Sequence, residues 1–170
     1  MAKKDARLNP TLLSRRAVAR MHARIDRLLP ESDPRWGTMS AAQMVCHVAD
    51  HLRVALGDTQ VNPGKLALRF RSRDIAVNPG LLRFKPVRHL FVHRLPWPKA
   101  RFRAPPEMRR AAPGEWREDI ASLHALVDRV SDKPPVEPWG RHPWCGSISG
   151  QEWGSICWRH LDYHLRQFGV

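Results

Sequence analysis

An all-α four-helix bundle is the fold this sequence predicts, and three observations carry that prediction. Four stretches repeat apolar residues at three- and four-residue steps. Two of them open with the same capping grammar. No stretch shows a convincing apolar–polar alternation of the kind that marks a half-buried strand.

The first segment opens at Asn9-Pro10, a cap residue followed by proline at the first helical position. Leu13 or Ala17, then Met21, Ile25 and Leu28, form one apolar stripe with arginines between them, ending near Pro30. The second segment starts at Ser40, where Gln43 completes a capping box and Met39 with Met44 takes the staple positions. Its face runs Met44, Val48, Leu52 and Leu56, and Gly57 closes it. The third stripe reads Trp116, Ile120, Leu123, Val127 and Val130, stopping before Pro134-Pro135. The fourth repeats the second, with Ser149 and Glu152 as capping box and Ile148 and Trp153 as staple. Its buried face is expected to be Trp153, Ile156, Cys157, His160, Leu161, His164 and Phe168. The spacing thus predicts helices near residues 10–29, 40–57, 115–130 and 149–168 of a single domain over 1–170.

Residues 58–112 form a long basic crossover, rich in proline and arginine, between the second and third bundle helices. That much chain can return along the bundle. The second and third helices would then run parallel, and the second and fourth antiparallel. Within it, Pro79-Gly80-Leu81-Leu82 opens a short helix expected to reach Val92, with a kink at Pro86.

The net charge of +13 concentrates in this crossover, which holds 13 Lys or Arg against 3 acidic residues. Such a segment attracts an anionic partner or simply forms a solvated surface. Lys65 to Arg110 is accordingly expected to be mostly exposed. No aromatic-rich platform or helix-turn-helix pattern accompanies the arginines, so no sequence-specific nucleic-acid partner is expected. No apolar run approaches the roughly 20 residues that span a bilayer, and the charged N-terminus is not a secretory signal. Three cysteines, Cys46, Cys145 and Cys157, are too few and too odd for a disulfide framework. A cytoplasmic protein without a membrane partner is the expectation.

Three histidines stand where apolar residues belong. His160 and His164 are four apart, on the stripe of Trp153, Ile156 and Phe168, and His47 follows Met44 on the buried side of the second helix. At a rise of about 1.5 Å per residue, the three rings share one level if the second and fourth helices are antiparallel. Imidazoles converging from two helices can hold a divalent ion such as Zn, Ni or Fe, or they can be hydrogen-bonded core residues.

Trp36-Gly37-Thr38-Met39-Ser40-Ala41-Ala42-Gln43-Met44, ending in His47, resembles the second-helix signature of the DinB-like superfamily. The tail resembles it more closely, through His142-Pro143-Trp144-Cys145-Gly146, Ser149-Gly150-Gln151-Glu152-Trp153-Gly154 and the run from Arg159 to Phe168. It looks like a branch of that superfamily made of domains of unknown function. The similarity covers roughly residues 20–168 and is weak through the crossover. The resemblance implies a four-helix bundle with a three-histidine metal site, frequently in a homodimer, with His47, His160 and His164 as ligands.

Other residues receive smaller roles. His51 is read as a polar boundary residue rather than a fourth ligand or a base beside the site. Asp50 is read as a solvent-facing acid rather than an orienter of a liganding ring. Cys157 packs or lines the cavity, and Trp139, Trp144 and Trp153 cover one end of the bundle. His22, His89, His93, His124 and His142 show no ligand geometry in the sequence.

Three protein ligands leave a tetrahedral ion one open position, as in catalytic zinc sites. Characterised relatives in the superfamily include thiol-dependent transferases and isomerases, and others suspected of hydrolysis. The resemblance therefore implies a metal-dependent enzyme acting on a small molecule, with a thiol as cosubstrate or water as nucleophile. No residue stands out as a general base. The alternative is a non-enzymatic basic bundle that binds nucleic acid or another anion, with the histidines purely structural.

Overall fold

The computed structural model describes residues 10–61, 66–70, 73–77, 80–97, 99, 102–103 and 111–170. Its four long helices are α1 (Arg15–Ile25), α2 (Ala41–Leu56), α5 (Trp116–Asp132) and α6 (Gly150–Gln167). Between α2 and α5 lie β1 (Leu66–Phe70), β2 (Arg73–Val77), α3 (Gly80–Arg83), α4 (Lys85–His93) and β3 (Phe102–Arg103). The architecture is an all-α bundle, as the periodicity predicts.

Both capping boxes form as the sequence dictates. The Ser40 hydroxyl accepts from the Gln43 N–H while the Gln43 side chain accepts from the Ser40 N–H, and Ser149 and Glu152 do the same at α6. Gly57 ends α2 at φ 89, a left-handed conformation that favours glycine. Helix α1 is shorter than its stripe implies, beginning after Ser14 and closing at Asp26. The cap expected at Asn9 lies outside the described residues.

Cross-helix contacts fix the directions. Cys46 meets Asp119, Arg53 meets Ser122 and Asp58 meets Arg129, so α2 and α5 run parallel. His47 meets His164, whereas His51, one turn on, meets Trp153, so α2 and α6 run antiparallel. His22 meets Asp128 and Asp26 meets His124, which makes α1 and α5 antiparallel. The close pairs are α2–α5, α2–α6, α1–α5 and α1–α6. Helices α1 and α2 therefore sit diagonally, as do α5 and α6, whereas α2 and α5, the two helices that the crossover joins, are neighbours.

The core is filled by the predicted stripes. Met21 and Ile25 of α1, Met44, Val48 and Leu52 of α2, Leu123, Val127 and Val130 of α5, and Trp153 and Leu161 of α6 are all buried. Each such side chain contributes about 1.5–3 kcal/mol of burial free energy. That term, offset by chain entropy, is what makes four amphipathic helices a bundle.

The crossover departs from expectation in two ways. It contains a three-stranded antiparallel sheet in the order β2-β1-β3, in which Leu68 pairs with Ile75 on one side and Phe102 on the other. The short helix anticipated near Gly80–Val92 is present but breaks at Phe84, not at Pro86. Pro86 sits in the first turn of α4, where its missing N–H costs nothing.

Of the described basic residues here, Arg83, Lys85, Arg94 and Lys99 are exposed as expected, but Arg88 is buried. Its guanidinium pairs with Glu152 at 2.7 Å and donates to the Leu82 and Arg83 carbonyls, fastening α4 to the first turn of α6. The remainder of the Lys65–Arg110 expectation falls largely outside the residues whose side chains are described. Arg159 of α6 secures the other end of α4 by donating to the carbonyls of Phe91, Val92 and Leu95.

Candidate metal centre

His47 enters from α2, and His160 and His164 from consecutive turns of α6. The helices are held in register by contacts that flank the rings. Arg24 of α1 grips Asp162 at 2.6 Å, fixing the face of α6 opposite the pair. Trp153 is fully buried and donates its indole N–H to the Gly140 carbonyl at 2.8 Å. Gly140 itself donates to the Ala55 carbonyl, and a side chain there would meet the Val54 carbonyl oxygen at 1.8 Å. Only glycine lets this loop press so closely on the end of α2.

The three rings converge through one type of nitrogen. Nε2 of His160 lies 3.1 Å from Nε2 of His47 and 3.2 Å from Nε2 of His164. One ligand atom from each residue lies within 4.8 Å of the others. Imidazoles about 2.0–2.1 Å from a tetrahedral ion would place their nitrogens about 3.3 Å apart. The donor set fits a divalent ion. These three side chains lie close enough together to hold one.

The tautomer of His164 can be read from the network. Gln167 donates its amide N–H to the Trp36 carbonyl at 2.7 Å, so its Oε1 turns toward His164 and accepts from Nδ1 at 2.8 Å. His164 therefore carries its proton on Nδ1 and presents a bare Nε2 lone pair. The Trp36-Gly37 turn gains a physical role here. Arg35 N–H bonds the Gln167 carbonyl, and Gly37, at φ 81, passes close beneath the Gln167 amide. Gln167 escaped the sequence reading, although its position three residues after His164 on one helix was the available signal.

Burial keeps His160 and His164 neutral. It pushes His164 down to about 3, with His47 nearby adding to the effect and the Gln167 hydrogen bond opposing it. Burial, then His51, His164, His47 and His142, holds His160 well below its ordinary value. Neutral imidazole is the form that ligates a metal. His160 differs from His164 in one respect. Its Nδ1 is buried with no hydrogen-bond partner, so one ring is oriented by packing instead of by an acceptor.

His51 is not the boundary residue expected from the sequence. It is buried, its ring centroid lies 4.1 Å from that of His160, and its Nδ1 also lacks a partner. Burial first, then His142, His47 and His164, holds its affinity for protons far below normal. It backs His160 and does not join the three converging nitrogens.

Asp50 is likewise buried rather than solvent-facing. It accepts from Arg53 and from the Ala111 N–H, tying the end of the crossover to α2. His142 is buried as well, and its Nδ1 accepts from the backbone N–H groups of Trp144 and Cys145.

The accessible side of the centre is aromatic. His160 is partly exposed, Trp97 of the crossover lies 6.3 Å from it, and Tyr163 stands between Trp97 and Trp36. Trp36 donates its indole N–H to the Tyr163 hydroxyl, and the Arg159 guanidinium lies over Trp97. The cysteines offer no competing chemistry. All three are free and buried, and burial pushes the Cys46 and Cys145 thiols up to about 11 and Cys157 higher still.

No helix among the described residues is long and apolar enough to cross a membrane. No family model matches the chain, and neither a curated protein nor a solved structure is detectably similar to it.

Proposed function

We propose that this chain is a metal-dependent enzyme that binds one divalent ion through His47, His160 and His164 and acts on a small molecule at that ion. The observation that carries the reading is the convergence of three Nε2 atoms at 3.1 and 3.2 Å, with the His164 tautomer preset for coordination. A bound ion there would supply Lewis acidity, lowering the pKa of a coordinating thiol or water. The chain's own contributions are separate. Gln167 orients His164, Trp97 and Tyr163 wall the approach, and burial keeps His160 and His164 deprotonated.

Thiol-dependent transfer or isomerisation, or hydrolysis, is the chemistry proposed, in line with the resemblance to the DinB-like superfamily. Elemental analysis of protein purified without a His tag tests the metal. Wild type should carry an ion that His160→Ala loses. If His160→Ala keeps the full metal content, or wild type acquires none from Zn²⁺, Ni²⁺ or Fe²⁺, the triad is a set of core histidines.

A further inference from the structure

A second histidine cluster lies on the other antiparallel seam of the bundle. His22 and Asp26 stand one turn apart on and just past α1, and His124 and Asp128 one turn apart on α5. Each histidine reaches the carboxylate of the opposite helix. His22 Nε2 lies 2.7 Å from Asp128, and His124 Nε2 lies 3.0 Å from Asp26. Between them, the two Nδ1 atoms face each other at 2.5 Å.

The hydrogen-bond inventory decides what this means. A carboxylate only accepts, so each Nε2 carries its ring's proton and donates it. A neutral imidazole has one N–H, so both Nδ1 atoms are then bare acceptors. The ring centroids are 4.7 Å apart and the planes differ by 29°. With the nitrogens at 2.5 Å, that separation places both Nδ1 atoms near the line joining the rings. With both rings in that form two lone pairs meet head to head, an arrangement relieved by a cation between them, either a proton or a metal ion.

We propose that His22 and His124 form a second transition-metal site, of the zinc, nickel or copper class, through their Nδ1 atoms. Asp26 and Asp128 orient the ligands, the carboxylate–histidine–metal relay that raises imidazole basicity and fixes the tautomer. An ion at the usual imidazole distance of about 2.0–2.1 Å requires the nitrogens to part to about 3.3 Å, some ~0.8 Å wider. Both histidine side chains are about a quarter exposed, at 24% each, so small side-chain rotations supply that movement and leave open positions facing solvent. The site is independent of the triad, which lies on the α2–α6 seam.

Zn²⁺ binding by the full chain, stripped with chelator and counted by elemental analysis after equilibrium dialysis, tests the proposal. Wild type should bind two equivalents. His22→Gln/His124→Gln should bind one, and His160→Ala should also bind one. Addition of Zn²⁺ to His160→Ala should shift the ¹⁵N resonances of the His22 and His124 Nδ1 atoms into the coordinated range. If His22→Gln/His124→Gln keeps the wild-type capacity, the pair shares only a proton and the proposal is overturned. It is equally overturned if the second equivalent disappears with His89→Gln/His93→Gln instead, the adjacent imidazole pair on α4. Should His160→Ala retain wild-type capacity while His22→Gln/His124→Gln loses one equivalent, the proposed function fails and this site stands.

Discussion

The α2–α6 and α1–α5 seams both bring imidazoles together from antiparallel helices, but they do so in opposite dielectric settings. On α2–α6 His47 and His164 are buried and His160 is only partly exposed, their neighbours are other rings and an amide, and desolvation keeps His160 and His164 neutral. On α1–α5 the rings are partly exposed and each leans on a carboxylate that is itself more than half exposed. The buried seam gains its readiness for a cation from exclusion of water. The outer seam gains it from fixed negative charge and forced tautomers. The position of each seam relative to the crossover explains the contrast. Arg88 and Arg159 dock α4 onto α6, and Trp97 lies beside His160, whereas no described crossover element packs closely on α1.

The comparison breaks most visibly with metal. An ion that binds only the folded chain stabilises it by about 4 kcal/mol when free ion exceeds Kd a thousandfold. For a chain of this size that corresponds to a melting-temperature rise on the order of 10 °C. Wild type with Zn²⁺ should show it, and His160→Ala should lose most of it. Melting curves with and without ion decide the matter, and an undiminished shift in the variant would place the tight site elsewhere.

A smaller effect isolates the amide behind His164. Gln167→Met removes the Nδ1 acceptor and keeps the side chain's length. Loss of such an outer partner lowers metal affinity about 10–100-fold. Competition with a chromophoric chelator should show that drop with little change in helix content. Affinity equal to wild type would mean that His164 is oriented by packing alone, as His160 is.

The pH response should distinguish the buried end of the bundle from its surface. Burial, aided by Arg88, pushes His142 down to about 3, against about 6.5 in the unfolded chain. Because its folded pKa is depressed, its neutral form favours the native state fully above the unfolded value. That contribution falls as pH drops from there toward 3, by about 1.4 kcal/mol per pH unit. Urea unfolding of the metal-free protein at a series of acid pH values should show the loss. His142→Asn should flatten the slope by about one proton's worth, whatever it does to stability at neutral pH. An unchanged slope would mean that His142 is protonated in the native state.

Much of the buried seam was legible because helix periodicity converts sequence distance into direction. His160 and His164 fall four apart on a stripe of Trp153, Ile156 and Phe168, and His47 shares a face with Met44, so burial of those faces brings the rings together. The two capping boxes were equally legible, being local. His51 and Asp50 were misread because amphipathic spacing marks the centre of a face and not its width; α2, packed against both α5 and α6, buries nearly all its circumference. His22 and His124 had no local signal at all. Their meeting depends on α1 lying against α5, and nothing in either helix states that register. The β1–β2 hairpin had a local signal that was passed over, Leu66, Leu68 and Phe70 alternating with Ala67 and Arg69 two residues before its partner strand; only the β1–β3 pairing joins segments far apart in the chain.

The smallest expected effect lies on the outer seam and tests whether its carboxylates matter. Asp128 is 57% exposed and accepts from His22 at 2.7 Å. Exposed polar contacts to a carboxylate contribute at most about 1 kcal/mol to stability, because water competes for both partners. Asp128→Asn should therefore change unfolding free energy by less than about 1 kcal/mol. Its effect on the second cation site should still be measurable. An asparagine amide can present its oxygen to His22 Nε2, preserving the tautomer while removing the negative charge beside the ring. Binding of the second Zn²⁺ equivalent should weaken toward the lower end of the 10–100-fold range for outer partners, while the triad's equivalent is untouched. A matched loss at both sites would show that Asp128 acts through the bundle as a whole. Confinement of the loss to the second equivalent would show that an exposed carboxylate orients a ligand much as the buried Gln167 amide does.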